Sequence, residues 1–260
     1  MNRRALLPLL AAALVAGCSS FPSLPMGSSA SASPSAIEAS LADSRRPEAD
    51  RTRDARSRPA EILAFAGVKP GQRVADLVIG GGYYTRVFAG TVGPKGHVWA
   101  WQPAEFVKFD AKYGEALKTL PAAYPNVTGL DAALGALVLP EKLDLAFTNQ
   151  NYHDFHLKPF AGDTAARVNA AVFKALKPGG VYLIIDHHAL AGADVTQTAT
   201  GLHRMDVEAV KREVMAAGFV LEGESQLLRN PADPRTAIVF DPSIQGHTDQ
   251  YILKFRKPKR

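Results

Sequence analysis

"VADLVIGGGYYTRVFAG", residues 74–90, is the stretch that decides the fold. A short β-rich run reaches Asp76, three glycines follow at 80–82, and an apolar pattern of helical spacing begins at Tyr83. Strand, glycine turn and helix in that order leave backbone N–H groups free at a helix N-terminus and let a ligand approach the main chain closely. The layout suits the phosphate, or the sugar and amino-acid part, of a nucleotide-like cofactor. One position departs from the spacing Asp-x-Gly-x-Gly-x-Gly: the glycines would fall at 78, 80 and 82, and residue 78 is valine. A β-branched residue disfavours positive φ, so the turn is expected to take a different shape there. A glycine turn alone is weak evidence, because tight strand–helix turns also use glycine for purely structural reasons.

The chain around this stretch alternates. Runs with strand character lie at 73–79, 96–102, 126–130, 143–150 and 180–187, separated by helical patterns at 83–92, 104–120 and 164–176. A further helix at 59–68 precedes the first strand, and another at 206–218 is bounded by Asp206 and Gly218, residue types that cap helix starts and stops. Two final strands, 219–228 and 249–257, have no helix between them. Such alternation predicts an α/β fold: a Rossmann-like, mostly parallel seven-stranded sheet with helices on both faces and an antiparallel edge strand. An open sheet of this kind binds its ligand beyond the carboxyl ends of the strands, near the switch in strand order.

The ordered set "VADLVIGGGYYT", "LDAAL", "LDLAFTNQNYHD", "LKPGGVYLIIDH" and the closing strand pair resembles the class I S-adenosylmethionine-dependent methyltransferases over roughly residues 56–258. The details "GGGYYT", "NYHDFH" and "LLRNPADPR…FDP" are similar to a bacterial subgroup of predicted methyltransferases. The resemblance implies methyl transfer with S-adenosylmethionine as cofactor, and it names no acceptor. By position it places Asp76, Gly80, Gly81, Gly82 and Thr85 at the cofactor's amino-acid part and Asn149 at the end of the fourth strand. Gln102 stands where the family usually carries an acid for the ribose hydroxyls, with Glu105 one helical turn away. An amide still bonds a hydroxyl but lacks the charge that strengthens a carboxylate's bond. Asp131 matches the acid that meets the adenine amino group; a loop or helix-capping role is the alternative. Beyond the fourth strand, Tyr152, His153 and Asp154 are the catalytic candidates, with His153 or Asp154 as the base if the acceptor must lose a proton. His187 and His188 end the fifth strand, and His203 and Arg204 are placed to close over the pocket or bind an anionic substrate.

Other chemistries find less support. Histidines are numerous, but neither HExxH nor paired-cysteine spacing is present, so no metal is expected. There is no GxSxG turn. The basic tail "KFRKPKR" lacks aromatic interleaving, and no nucleic-acid partner is expected.

The N-terminus carries an address. "MNRRALLPLLAAALVAGCSS" has two arginines, an apolar run and small residues before Cys18, the single cysteine. "VAGC" resembles the bacterial lipobox, which implies a signal peptide at 1–17 and a lipidated Cys18. Ser19 and Ser20 then favour the outer membrane by resemblance to Gram-negative lipoproteins. Removing the leader lowers the net charge of +5 by the charges of Arg3 and Arg4. Residues 18–50, Ser/Ala/Pro-rich and then charged, are expected to tether a domain of residues 51–260, with the charge-dense 43–58 forming either a solvated helix or an arm lying on the domain. The expected partners are a small-molecule or envelope-component substrate and the membrane, reached through the lipid anchor. An exported protein would be remote from the cytoplasmic supply of S-adenosylmethionine. That location, with Val78 and Gln102, supports a rival expectation, a non-catalytic binding or scaffold protein on a methyltransferase fold. A third is an enzyme holding another nucleoside-like ligand in the same groove.

Overall fold

The runs at 143–149 and 181–185 are largely apolar and buried, as expected where both faces of a sheet are covered. The computed structural model describes residues 35–259; the leader, Cys18 and most of the expected tether lie outside the described residues. Strands β1 (Arg73–Leu77), β2 (His97–Trp101), β3 (Val127–Leu130), β4 (Leu143–Asn149) and β5 (Leu176–His187) are mutually parallel wherever they pair. β7 (Gln250–Arg256) runs antiparallel between β5 and β6 (Val220–Ser225), which gives the order β3-β2-β1-β4-β5-β7-β6. The antiparallel pair expected at the edge is therefore β6–β7, with β6 outermost and alternating in exposure along its length.

The two-residue period of the strands divides the core in two. Ala75, Leu77, Ala146, Tyr182 and Ile184 face one apolar cluster; Val74, Leu145, Phe147, Leu183 and Ile185 face the other. Helices α7 (Thr164–Ala175) and α9 (Val207–Ala216) supply Val168, Val172, Val210 and Val214 to the first layer. Helices α3 (Pro59–Ala66), α4 (Tyr83–Val92) and α6 (Lys112–Ala123) supply Ile62, Val87, Phe88 and Leu120 to the second. The chain leaves β1 toward β2 and β3 on one side and β4 toward β5 on the other. β1 and β4 thus flank the crevice where strand order reverses.

Three local expectations change. The helical run at 104–120 breaks at Asp110, whose extended backbone separates α5 (Ala104–Phe109) from α6. A helix not expected from the threonine-rich sequence, α8 (Val195–Leu202), is capped by Asp194, which accepts a bond from the Gln197 amide at 2.7 Å. The domain also begins before Arg51. Helix α1 (Ala36–Leu41) lies on α4, where the Ser40 hydroxyl donates to the Val87 carbonyl at 2.7 Å. Gly90 permits that approach, since a Cβ there would stand 2.4 Å from Ser40 Oγ.

Helix α2 (Glu48–Ser57) continues the clamp. The buried Arg46 pairs with Asp54 at 2.6 Å, and Asp54 accepts from the Tyr83 hydroxyl. Asp50 binds Arg86, which donates to the Gly81 carbonyl. Of the two expectations for the charge-dense 43–58 segment, the structure shows the arm lying on the domain. Further along the chain, the buried Arg204 holds the long 226–249 loop through Asp233 at 2.9 Å and the Ala237 carbonyl.

Candidate functional site

The turn after β1 keeps the shape its valine was expected to prevent. Val78 has φ +57 and is buried, with Gly80 at +53 and Gly82 at +78. The left-handed region costs a non-glycine residue about 1–2 kcal/mol, and a β-branched residue there is a genuine outlier. The surroundings enforce it. The Ile79 amide donates to the Trp101 carbonyl, the Gly80 amide to Gln102 Oε1 at 2.8 Å, and the Gly82 amide to the Ile79 carbonyl. Two other left-handed non-glycine residues, Gln150 (φ +60) and His203 (φ +53), also border the crevice. Strain of this kind persists where the surrounding structure over-determines it and gathers at functional sites.

Three compartments run along the carboxyl ends of the strands and share lining residues. The first, of about 240 Å³, lies between Asp76, Gly80, Gly81, Arg53 and Asn149. A Cβ added at Gly80 or Gly81 would meet no atom within 4 Å, so both backbones face open space. Asp76 sits beneath, 3 % exposed, and burial raises its carboxyl to about 7 despite the 2.6 Å bond donated by Thr85 Oγ1. The second compartment, an apolar cleft of about 380 Å³, joins the first at Val78 and Gly80 and is walled by Gln102, Phe106, Phe109, Tyr113 and Phe160. The third, of about 220 Å³, joins at Arg53, Tyr84, Asn149 and Gln150. Its lining is mixed, with Arg56, His187, Thr248 and Gln250 beside Leu228, Val239 and Phe240.

The structure sorts the sequence candidates. Asp76, Gly80, Gly81, Gln102 and Asn149 line this groove. Gly82 and Thr85 support it from behind: Gly82 starts α4, and Thr85 is wholly buried against Asp76. Asp131 is exposed and lies outside the groove's lining, since the loop behind it is drawn inward by the Trp101 Nε1–Ala132 carbonyl bond. Glu105 lines the cleft but accepts from the Leu134 amide at 3.0 Å, so it secures the 134–136 turn. Tyr152 is not poised for catalysis. Its ring is buried, its hydroxyl donates to Glu213 and accepts from Asn169, and burial holds that hydroxyl protonated. Arg204, paired with Asp233 in the interior, is not offered to a substrate.

His153 and Asp154 lie on the turn 152–156; Asp154 lines the apolar cleft, and the buried His153 meets it at 3.3 Å. His153 Nδ1 meets Asp186 at 2.9 Å, and its backbone amide donates to the same carboxylate. Burial works against a charged ring, yet the Asp186 and Asp154 carboxylates outweigh it and push His153 up to about 9. The Asp186 bond occupies Nδ1 and leaves Nε2 facing His203 and Asp154. Burial raises Asp154 instead. His187 bonds Thr248 and is kept neutral by burial, down to about 3. Sequence reasoning missed Arg53, Arg56, Phe106 and Gln150. The two arginines fall in the charge-dense 43–58 segment, where nothing distinguishes them from their neighbours.

Seven strands in the order 3-2-1-4-5-7-6, a glycine turn after the first and a groove along the strand ends define the fold of the class I S-adenosylmethionine-dependent methyltransferases. Solved structures agree. A methyltransferase from Aquifex aeolicus shares 17% identity over 82% of this chain and 98% of its own, with TM-score 0.54. A putative sarcosine dimethylglycine methyltransferase from Galdieria sulphuraria shares 16% over 79% and 85%, at 0.55. The [4+2]-cyclase SpnF is equally similar, with 18% identity over 85% and 91% and TM-score 0.56. No family model matches the sequence, and no curated protein is similar to it at the sequence level.

Residue 78 gives a direct check on the turn. Alanine ordinarily stabilises a chain by about 0.4–1 kcal/mol over glycine, but it destabilises where φ is positive. Val78→Gly is therefore expected to be more stable than Val78→Ala by roughly 1 kcal/mol in urea unfolding. The ordinary order, alanine above glycine, would mean that the turn is not left-handed.

Proposed function

We propose that the protein binds S-adenosylmethionine along this groove and transfers its methyl group to an acceptor held in the third compartment. The observation that carries the reading is the continuity of a charged compartment over Asp76, an aromatic cleft beside Gln102 and an exit at Asn149. The amino-acid part of the cofactor fits the first, between the open backbones of Gly80 and Gly81 and the Arg53 guanidinium. A purine fits the second, against Phe106, Phe109 and Tyr113. Gln102 Oε1 is engaged by the Gly80 amide, so its amide group is left to donate to ribose hydroxyls. Methyl transfer is an in-line displacement governed mainly by positioning, and the sulfonium would face Asn149 and Gln150. Arg53 and Arg56, with no carboxylate partner among the described residues, favour an anionic small molecule or envelope component as acceptor.

One observation favours the rival reading of a binding or scaffold protein: Asp131, the counterpart of the adenine-binding acid, lies outside the groove. Binding and turnover separate the two. S-adenosylhomocysteine should bind the full chain at micromolar levels by calorimetry. Gly81→Ala should fold unchanged, because its Cβ meets nothing, yet bind at least about tenfold more weakly, a loss near 1.4 kcal/mol. No binding of either form of the cofactor at millimolar levels would end both the cofactor and the methyl-transfer readings. Binding without turnover of any anionic acceptor would favour the scaffold.

We also propose that the protein is lipid-anchored in the cell envelope through Cys18, facing the periplasm. The motif "VAGC" after an apolar leader supports this. A Cys18→Ser form should leave the membrane fraction and keep its leader; fractionation like the wild type would rule the anchor out.

A further inference from the structure

The floor of the aromatic cleft carries a cluster that methyl transfer does not require. Two nitrogens and an oxygen from residues fifty positions apart meet there: His153 Nε2, His203 Nδ1 and an Asp154 carboxylate oxygen all lie within 4.8 Å of one another. His153 Nε2 is 3.2 Å from His203 Nδ1 and 3.3 Å from Asp154 Oδ1. Around a tetrahedral zinc ion with bonds of about 2.0–2.1 Å, neighbouring ligand atoms stand roughly 3.3 Å apart. The two short edges of the cluster have that length.

The supporting groups are those of a built metal site. A ligating histidine is usually oriented by a carboxylate on its other ring nitrogen. Asp186, wholly buried, meets His153 Nδ1 at 2.9 Å and is itself fixed by the His153 and His187 amides. The remaining oxygen of Asp154 is tied down by Asn151 Nδ2 at 3.0 Å, which leaves Oδ1 for the cluster. His203 occupies the left-handed position that ends α8, and its ring packs edge-on against Phe240. Asp154 and His203 both border the cleft, so a fourth coordination position would open into the groove.

We propose that His153, Asp154 and His203 bind a divalent first-row transition metal, zinc by preference. Two imidazoles and one carboxylate with an open position form the donor set of catalytic zinc sites, and two histidines discriminate against magnesium and calcium, which take oxygen ligands. The open position would take water, or an oxygen or sulfur atom of a bound molecule. The inference does not rest on the methyl-transfer reading, since the ligands are assembled without any cofactor. Sequence spacing could not reveal it, because His203 reaches the 152–156 turn only through the packing of α8 on that turn.

Cobalt(II) titration of the full chain, without S-adenosylmethionine, tests it. Cobalt should give visible absorption bands of a four- or five-coordinate site at one equivalent, and zinc should abolish them. His203→Asn is the informative variant, because asparagine tolerates the left-handed backbone. It and Asp154→Asn should each weaken cobalt binding by more than about a hundredfold. Asp186→Asn should weaken it by about ten- to a hundredfold, the range for lost outer carboxylates. His156→Gln, outside the cluster, should bind like the wild type. Circular dichroism of each variant establishes that it is folded. Equal cobalt affinity in wild type and folded His203→Asn, or no bands at millimolar cobalt, would overturn the site; in the second case the cluster is a hydrogen-bonded network and nothing more.

Discussion

The left-handed backbone of Val78 is the constraint on which the groove depends. It turns the chain out of β1 so that Ile79 bonds the Trp101 carbonyl and Gly80 bonds Gln102. Those two bonds lock the glycine loop to the end of β2. They also leave the backbones of Gly80 and Gly81 facing open space above Asp76. A glycine at 78 would give the same path without the conformational cost. What valine adds is a buried side chain that joins the core beneath the loop and forms the partition between the polar compartment and the aromatic cleft. The turn trades backbone comfort for packing, and the bonds around it are numerous enough to hold that trade.

The N-terminal helices are the second support of the site. Asp50 and Asp54 bond Arg86 and Tyr83 beside the glycine loop, Arg46 holds Asp54 in place, and Arg53 faces the groove itself. An arm that closes the loop from outside would couple the order of the 35–58 segment to the occupancy of the groove.

Most of the fold was legible because its signals are local. Buried runs such as "LDLAF" and "VYLIID", glycine stops and aspartate caps each fix an element without reference to the rest of the chain. The tight crossing of α1 on α4 was not legible, since it depends on Ser40 meeting Gly90 across fifty residues. The site divides in the same way. Asp76, Gly80, Gly81, Gln102 and Asn149 follow from position at strand ends and reach the groove. Asp131 follows the same rule and misses it, because the Trp101 indole draws the following loop inward. Tyr152 was placed by its neighbours in "NYHD", but the turn there directs it to Glu213 and Asn169. His153 was read as a base, and the sequence did not show that its Nδ1 is taken by Asp186, which lies 33 positions away.

A crystal structure of the full chain with S-adenosylhomocysteine tests the central claim most directly. The account predicts the homocysteine part over Gly80 and Gly81, the adenine between Phe106 and Tyr113, and Val78 still at positive φ. A ligand bound elsewhere, or a turn that relaxes to negative φ at Val78 with the groove closed, would contradict it.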